Sequence, residues 1–300
     1  EKVDYEQKGE SVPFMVGLKD KIFAKLVFSK FKEGLGIVDT EYFVTAAAPM
    51  NKDVHRWFHA IGIDVTEIYG MTEDTGPATI GVPGNAVESF SKRLKVDSIK
   101  VPSVLNPIGK VGIPIPGTEV KVMEDGELCI KGNHVAQGYF KSEEQTKETF
   151  DADGWLHTGD IGAFDADGFI TITGRKKEII VNSGGENIVP SRVEALLTIE
   201  PEIEQAMVDG DRRPWLAAVI VPSANANDAA HTTEELTELI TTAIDRANSR
   251  LSQIERVRRF VIADEIFSTE NNQLTATLKV RRHIVRAVYQ ERLDALYTRR

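Results

Sequence analysis

Asp160 stands directly after a Thr-Gly turn in "GWLHTGD" (154–160). A carboxylate there can accept two hydrogen bonds in parallel, the demand a ribose diol makes. An aspartate beside a glycine is also an ordinary turn residue. "YGMTEDTG" (69–76) follows a strand-like run, and open α/β sheets place ligands at the C-terminal ends of strands. Thr72 offers a hydroxyl to a phosphate, and Glu73 is a hard oxygen ligand suited to Mg²⁺. The same loop reads equally well as a polar turn. In "GRKKEIIVNSGGENIVPSRVE" (174–194), the charges Arg175, Lys176, Lys177 and Glu178 run into a short apolar strand. "NSGGEN" (182–187) follows, and its paired Gly184 and Gly185 let a backbone pass close to a ligand, or simply make a loose connection. Lys279, in "QLTATLKVRR" (273–282), precedes an amphipathic helix. Taken singly, a lysine there is a surface residue. None of these groups decides a function alone.

The elements that must position them follow from periodicity. "GLKDKIFAKLVFSKFKEGLG" (17–36) has Leu18, Ile22 and Leu26 at helical spacing. Its five lysines suit a membrane-surface helix, and the preferred reading is the solvated face of a packed helix. "NKDVHRWFHAIG" (51–62) predicts a helix with Asn51 as N-cap and Gly62 as its stop. "IDVTEIYG" (63–70) then reads as a strand. Around Asp125-Gly126 and again around Asp167-Gly168, alternating strands predict two hairpins, 118–132 and 160–174. A short polar helix lies between them, so 108–174 reads as a small antiparallel β unit. "SRVE" (191–194) fits a capping box for the helix "VEALL". Strands are expected at 203–209, 215–221 and 257–263, with helices over 233–251 and from 282. That last helix should turn Ile284, Val285, Val288, Leu293 and Leu296 inward.

Composition excludes more than it selects. Three hundred residues allow about two domains, and the net charge of −10 argues against a nucleic-acid binder, which needs a basic face. Residues 251–300 hold ten Lys/Arg against six Asp/Glu, a basic end that fits a local anion site. The single cysteine, Cys129, lies in an alternating run. It reads as a small buried apolar side chain, with neither disulfide nor thiol metal cluster. No run of 18 apolar residues spans a membrane. No signal peptide is visible, and an opening at Glu1 suggests a fragment. A cytoplasmic protein, with peripheral membrane contact as its alternative, is the expectation.

The order and spacing of "YGMTE", "GELCIKG", "GYF", "DGWLHTGDIG", "DGFITITGRKKEIIVNSGGENI" and "LTATLKVRR" resemble the adenylate-forming superfamily. Within it the chain looks most like the C-terminal half of bacterial long-chain fatty acyl-CoA synthetases. The resemblance runs from "TAAAPM" (45–50) to the C-terminal region. It implies an α/β plus α+β architecture: the C-terminal part of a large α/β adenylation domain (1–107), a small β subdomain (108–174), a hinge (175–184) and a mobile α+β lid (185–300). The implied reaction joins a fatty acid to coenzyme A through acyl-AMP, consuming ATP with Mg²⁺ and releasing AMP and pyrophosphate. By position, Thr72 and Glu73 would meet the α-phosphate and the metal. Tyr69, in a nucleotide-binding stretch with Gly70, would stack on adenine, and Asp160 and Arg175 would hold the ribose. Lys177 would be the hinge residue, Gly184 and Gly185 would line the coenzyme A channel, and Lys279 would be the catalytic lysine of adenylation. Rival readings are an aryl- or amino-acid-activating ligase of the same superfamily, or a non-catalytic fragment that binds nucleotide or a partner.

Four departures qualify the match, the mildest being "TATLK" (275–279) where a Thr-Pro-Thr-x-Lys pattern is commoner. The superfamily's phosphate loop is expected ahead of residue 1, with the missing N-terminal half. The stretch 81–109 has no placement in the pattern. "TAAAPM" carries alanines where glycines are frequent.

Overall fold

A computed structural model describes residues 1–48, 50–81 and 106–298. Most of the unplaced stretch 81–109 therefore lies outside the described residues. The chain divides into two compact units, Glu1–Thr173 and Gly174–Arg300.

In the first unit, α1 (Lys2–Gln7) precedes a long helical run. That run is α2 (Phe14–Phe23), a π-helical turn (Ala24–Phe28) and α3 (Ser29–Leu35). A strand β1 (Phe43–Thr45), the helix α4 (Lys52–Ala60) and β2 (Val65–Met71) follow. The Asn51 side chain accepts from the amides of Asp53 and Val54, capping α4 as its type predicts. β1 and β2 pair in parallel, which the intervening α4 crossover permits. β3 (Gly76–Ile80) and β4 (Ile113–Pro114) extend the sheet antiparallel.

A second sheet takes the order β5-β6-β7-β8, with β5 (Thr118–Val122), β6 (Glu127–Gly132), β7 (Leu156–Phe164) and β8 (Ile170–Arg175). The short helix α5 (Glu143–Thr149) lies between β6 and β7. Gly126 and Gly168 adopt φ of 84° and 86° in the two Asp-Gly turns, a region glycine enters without cost. Alternation sends Leu128 and Ile130 of β6 and Leu156 of β7 into small apolar clusters.

The packed-helix reading of 17–36 holds only in part: Phe31 meets the Trp57 ring of α4 edge-on at 6.2 Å, and Lys32 Nζ donates to the Gly62 carbonyl at 2.5 Å. No residue of α2, the π turn or α3 is buried. Phe14, Met15, Ile22, Phe23, Leu26 and Leu35 are all more than half or half exposed. Apolar positions lie around this helix rather than along one stripe, so its contact with α4 leaves most of them uncovered.

The second unit is a sheet between two helical layers. β9 (Ile180–Val181) and β10 (Asn187–Ile188) form a small hairpin, and α6 (Pro190–Leu197) follows. β11 (Ile203–Asp209), β12 (Leu216–Pro222) and β13 (Val257–Ile262) make a three-stranded sheet. β12 is central, antiparallel to β11 and parallel to β13. Every residue of β12 is buried, because both its faces are covered. Leu216, Ala218 and Ile220 pack with Ile240, Ala243, Ile244 and Ala247 of α8 (Thr233–Asn248). Ala217, Val219 and Val221 pack with Val285, Tyr289 and Leu293 of α9 (Arg282–Tyr297). A short α7 (Ala224–Ala229) precedes α8.

Two sequence expectations fail here. The helix α6 begins at Pro190 with Val189 as its N-cap and no side-chain cap, so Ser191 and Glu194 make no capping box. Proline at the first helical position replaces that device, and Glu194 is used elsewhere: its Oε1 accepts from the Val208 amide at 2.7 Å and from Arg282 at 2.6 Å. On α9, Val288 is 58% exposed while Tyr289 is 1% exposed. The stripe is Val285–Tyr289–Leu293, spaced by four, and an aromatic with a polar tip fills the place expected of valine. Its hydroxyl accepts from the Asp264 amide at 3.0 Å, so burial leaves no polar atom of the ring unsatisfied.

Candidate nucleotide site

β2 ends in a loop that strand pairing forces to be tight. A Cβ on Gly70 would stand 1.9 Å from the Gly76 carbonyl oxygen on the neighbouring strand. Only glycine fits that approach. Residues Thr72–Asp74 then form one 3₁₀ turn, and Thr75 and Gly76 take φ of 63° and 140°. Asp74, which the sequence reading passed over, organises this loop. It is fully buried, and its Oδ1 accepts from the amides of Met71 at 2.9 Å and Gly76 at 3.3 Å. Burial holds its carboxyl above the usual carboxylate value. An acidic residue inside a turn sequence was the available signal.

The loop presents Thr72 exposed and Glu73 half-buried. Glu73 is tied to the segment after β6: its Oε1 accepts from the Tyr139 hydroxyl at 2.6 Å, and its carbonyl accepts from the Ala136 amide at 2.7 Å. Burial, then the bond to Glu73, raises the Tyr139 phenol above its ordinary value. Tyr139 lies in "GYF" but was assigned no role from sequence. The donor set at Thr72 and Glu73 is all oxygen, the chemistry magnesium prefers.

Tyr69 and Asp160 come together from 91 residues apart. The Tyr69 hydroxyl donates to Asp160 Oδ2 at 2.8 Å. The Tyr69 ring packs against both apolar clusters of this unit. Burial, with the Asp160 carboxylate next, pushes the Tyr69 phenol far above its usual range, so it stays a donor. Asp160 is 5% exposed on β7, and its amide bonds the Thr158 hydroxyl at 3.0 Å. That hydroxyl in turn donates to the Leu128 carbonyl at 2.7 Å. The result is a carboxylate whose direction is fixed by a neighbouring strand.

The other sequence-predicted residues belong to the second unit. Arg175 ends β8, and its carbonyl accepts from the amides of Glu178 and Ile179, so Lys176 and Lys177 sit exposed in a closed turn. Glu178 reaches Arg282, and Arg282 forks onto Glu194. The loop 182–187 is not slack. Asn182 Oδ1 accepts from the amides of Gly184 at 2.9 Å and Glu186 at 3.0 Å, and Gly185 takes φ 80° at the tip. Open space surrounds a Cβ placed on Gly185. Its backbone requires glycine; its surroundings do not. Lys279 lies in a tight loop, its amide bonded to Thr275 Oγ1 at 3.0 Å and its carbonyl accepting from the Thr275 amide at 2.8 Å. The side chain is exposed and makes no ion pair among the described residues.

Residues 19–140 match the AMP-binding enzyme family and residues 177–300 match the AMP-binding enzyme C-terminal domain. The chain is 35% identical over 297 residues to the long-chain-fatty-acid–CoA ligase FadD15 of Mycobacterium bovis, covering 94% of this chain and 46% of that protein. It is 30% identical to the human long-chain-fatty-acid–CoA ligase ACSBG2, covering 91% of this chain and 43% of that protein. The fold is similar to the adenylation domain of a carboxylate reductase from Mycobacterium chelonae, with a TM-score of 0.71 at 23% identity, over 97% of this chain and 43% of that one. The chain thus spans about half the length of the curated relatives it matches.

Proposed function

Because the chain belongs to the AMP-binding enzyme family, we propose that it forms the nucleotide-holding C-terminal half of an AMP-forming fatty acyl-CoA ligase. The observation that carries this reading is the Tyr69–Asp160 pair: a buried carboxylate, aimed by a phenol from the loop strand. Asp160 accepts the ribose hydroxyls, and Arg175 assists it. Thr72 meets the α-phosphate, and Glu73 gives an oxygen donor that fits magnesium, which would neutralise phosphate charge when bound. Tyr69 lies against the base with its ring while its hydroxyl holds Asp160.

The chemistry to be overcome is one anion approaching another. At about 4 Å and an effective dielectric near 20, carboxylate–phosphate repulsion is on the order of 4 kcal/mol. Lys279, exposed and without a carboxylate partner among the described residues, supplies the cation that offsets it. The carboxylate oxygen then bonds to the α-phosphorus and pyrophosphate leaves. In the second half-reaction the thiol of coenzyme A attacks the acyl carbon and AMP leaves. Lys177 is the pivot between the two half-reactions, and Gly184 and Gly185 give the thiol its passage. No described helix is long and apolar enough to cross a membrane. The exposed apolar and lysine-bearing run 14–35 favours contact with a membrane surface or with the remaining half of such a ligase.

Calorimetric titration with AMP tests the site. Asp160→Ala should weaken binding by roughly 2–5 kcal/mol through loss of charge-assisted bonds, and Tyr69→Phe should weaken it less, by freeing the carboxylate to turn. Unchanged AMP affinity in Asp160→Ala would return Asp160 to a turn residue. Joined to the remaining half its relatives carry, the chain should support ATP–pyrophosphate exchange best with long-chain fatty acids. Preference for aryl or amino acids would move it to another branch of the family.

A further inference from the structure

β6 and β7 carry a second group of reactive side chains on the face turned away from the apolar clusters. Leu128, Ile130 and Leu156 enter those clusters. Glu127 and Cys129 alternate with them on β6, and Cys129 pairs directly with His157 on β7. The Glu127 carboxylate, the Cys129 thiol and the His157 ring bring one ligand atom each to within 4.8 Å of one another. His157 Nδ1 is the common neighbour, 3.5 Å from Cys129 Sγ and 3.4 Å from Glu127 Oε2.

Those two separations, held here as hydrogen-bond contacts of the ring, also fit two edges of a tetrahedral zinc site. With metal–sulfur, metal–nitrogen and metal–oxygen bonds of about 2.3, 2.05 and 2.1 Å, the S···N edge is about 3.6 Å and the N···O edge about 3.4 Å. The supports that ligands need are also present. Glu127 Oε1 accepts from the Gly159 amide at 2.9 Å, leaving Oε2 on the side of the ring. Asp151 Oδ2 stands 3.6 Å from His157 Nε2, the ring nitrogen on the far side. Asp151 is itself fixed, its Oδ1 accepting from the amides of Trp155 at 2.8 Å and Asp153 at 3.0 Å. A carboxylate behind a ligating histidine sets its tautomer and strengthens it as a donor.

We propose that Glu127, Cys129 and His157 form a binding site for a zinc-class divalent cation, separate from the nucleotide site. Sulfur, nitrogen and one carboxylate oxygen select a borderline metal over magnesium or calcium, which want oxygen alone. Three protein ligands would leave a fourth position for water, and His157 is the least buried of the three. Burial, then the Glu127 carboxylate, pushes the Cys129 thiol up to about 11. The metal displaces that proton to solvent on binding and takes the thiolate. Across β5, Lys121 faces Cys129 in register, but its ammonium lies 3.9 Å from the centre of the Trp155 ring.

Cobalt(II) titration of the chain, stripped of metal and kept reduced, decides the matter. Cys129 is the single cysteine, so a near-ultraviolet thiolate-to-cobalt band can arise only here. The expected result is one cobalt per chain with that band and the intense visible absorption of tetrahedral cobalt. Zinc should displace it and millimolar magnesium should not. Cys129→Ser should abolish the band, His157→Gln should lower affinity at least tenfold, and Asp151→Asn should lower affinity while keeping the band. Each variant's fold is checked by its thermal transition. Cobalt binding without the band, or affinity equal in His157→Gln and the parent chain, would overturn the site.

Discussion

Residues 14–35 and residues 233–297 are both helical runs rich in apolar side chains, yet they end in opposite circumstances. The first run forms helix with no fully buried residue. The second unit's α8 and α9 bury their stripes on either face of β12, where all seven residues are covered. Periodicity reports which face of a helix is apolar, and says nothing about what covers it. In the second unit the cover is sequence-local: "LAAVIVP" (216–222) is apolar at every position, the mark of a strand with helices on both sides. No comparable all-apolar strand is found among the described residues of the first unit.

The comparison breaks most visibly under truncation. Tyr289→Ala should lower unfolding free energy by about 3–5 kcal/mol, since it opens a cavity between α9 and the sheet. Phe23→Ala, removing a ring that is 55% exposed, should stay within about 0.5 kcal/mol. Urea unfolding followed by far-ultraviolet dichroism measures both. Equal losses would mean that the 14–35 run is covered in solution.

A finer version lies within one helix. Val285 is fully buried and Val288 is 58% exposed. Val285→Ala should cost roughly 2 kcal/mol, and Val288→Ala should cost almost nothing. The sequence assigned both inward because valine is apolar wherever it stands. It passed over Tyr289 because a phenol reads as a surface group until a partner for its hydroxyl is known, and that partner, the Asp264 amide, is 25 residues away.

The same limit governs the site. The strands, the Asp-Gly turns and the Asn51 cap were legible because each rests on residues adjacent in the chain. Asp160 and Glu73 stand out in the sequence as carboxylates in turn segments. Their partners do not, because Tyr69 reaches Asp160 from 91 residues away and Tyr139 reaches Glu73 from 66. Glu194 shows the converse error. Local spacing offered a capping box, and a long-range fork with Arg282 took the carboxylate instead. The alternating run marks Cys129 as buried, but its register opposite His157 is invisible from that run alone.

The smallest expected effect concerns "TAAAPM", where the superfamily resemblance leads one to expect glycine. Ala47 adopts φ 75°, in the left-handed region. A Cβ there crowds the following carbonyl, a cost on the order of 1 kcal/mol that glycine escapes. Glycine in turn gives the unfolded chain more freedom, which takes back part of the gain. The balance favours glycine modestly: Ala47→Gly should raise unfolding free energy by about 0.5 kcal/mol. The residue follows β1 (Phe43–Thr45), at the C-terminal end of the strand parallel to β2. A small rise in the urea midpoint is the expected outcome. A fall of the same size would mean that the alanine methyl makes contacts worth more than its backbone strain, and that this strand end is built for alanine.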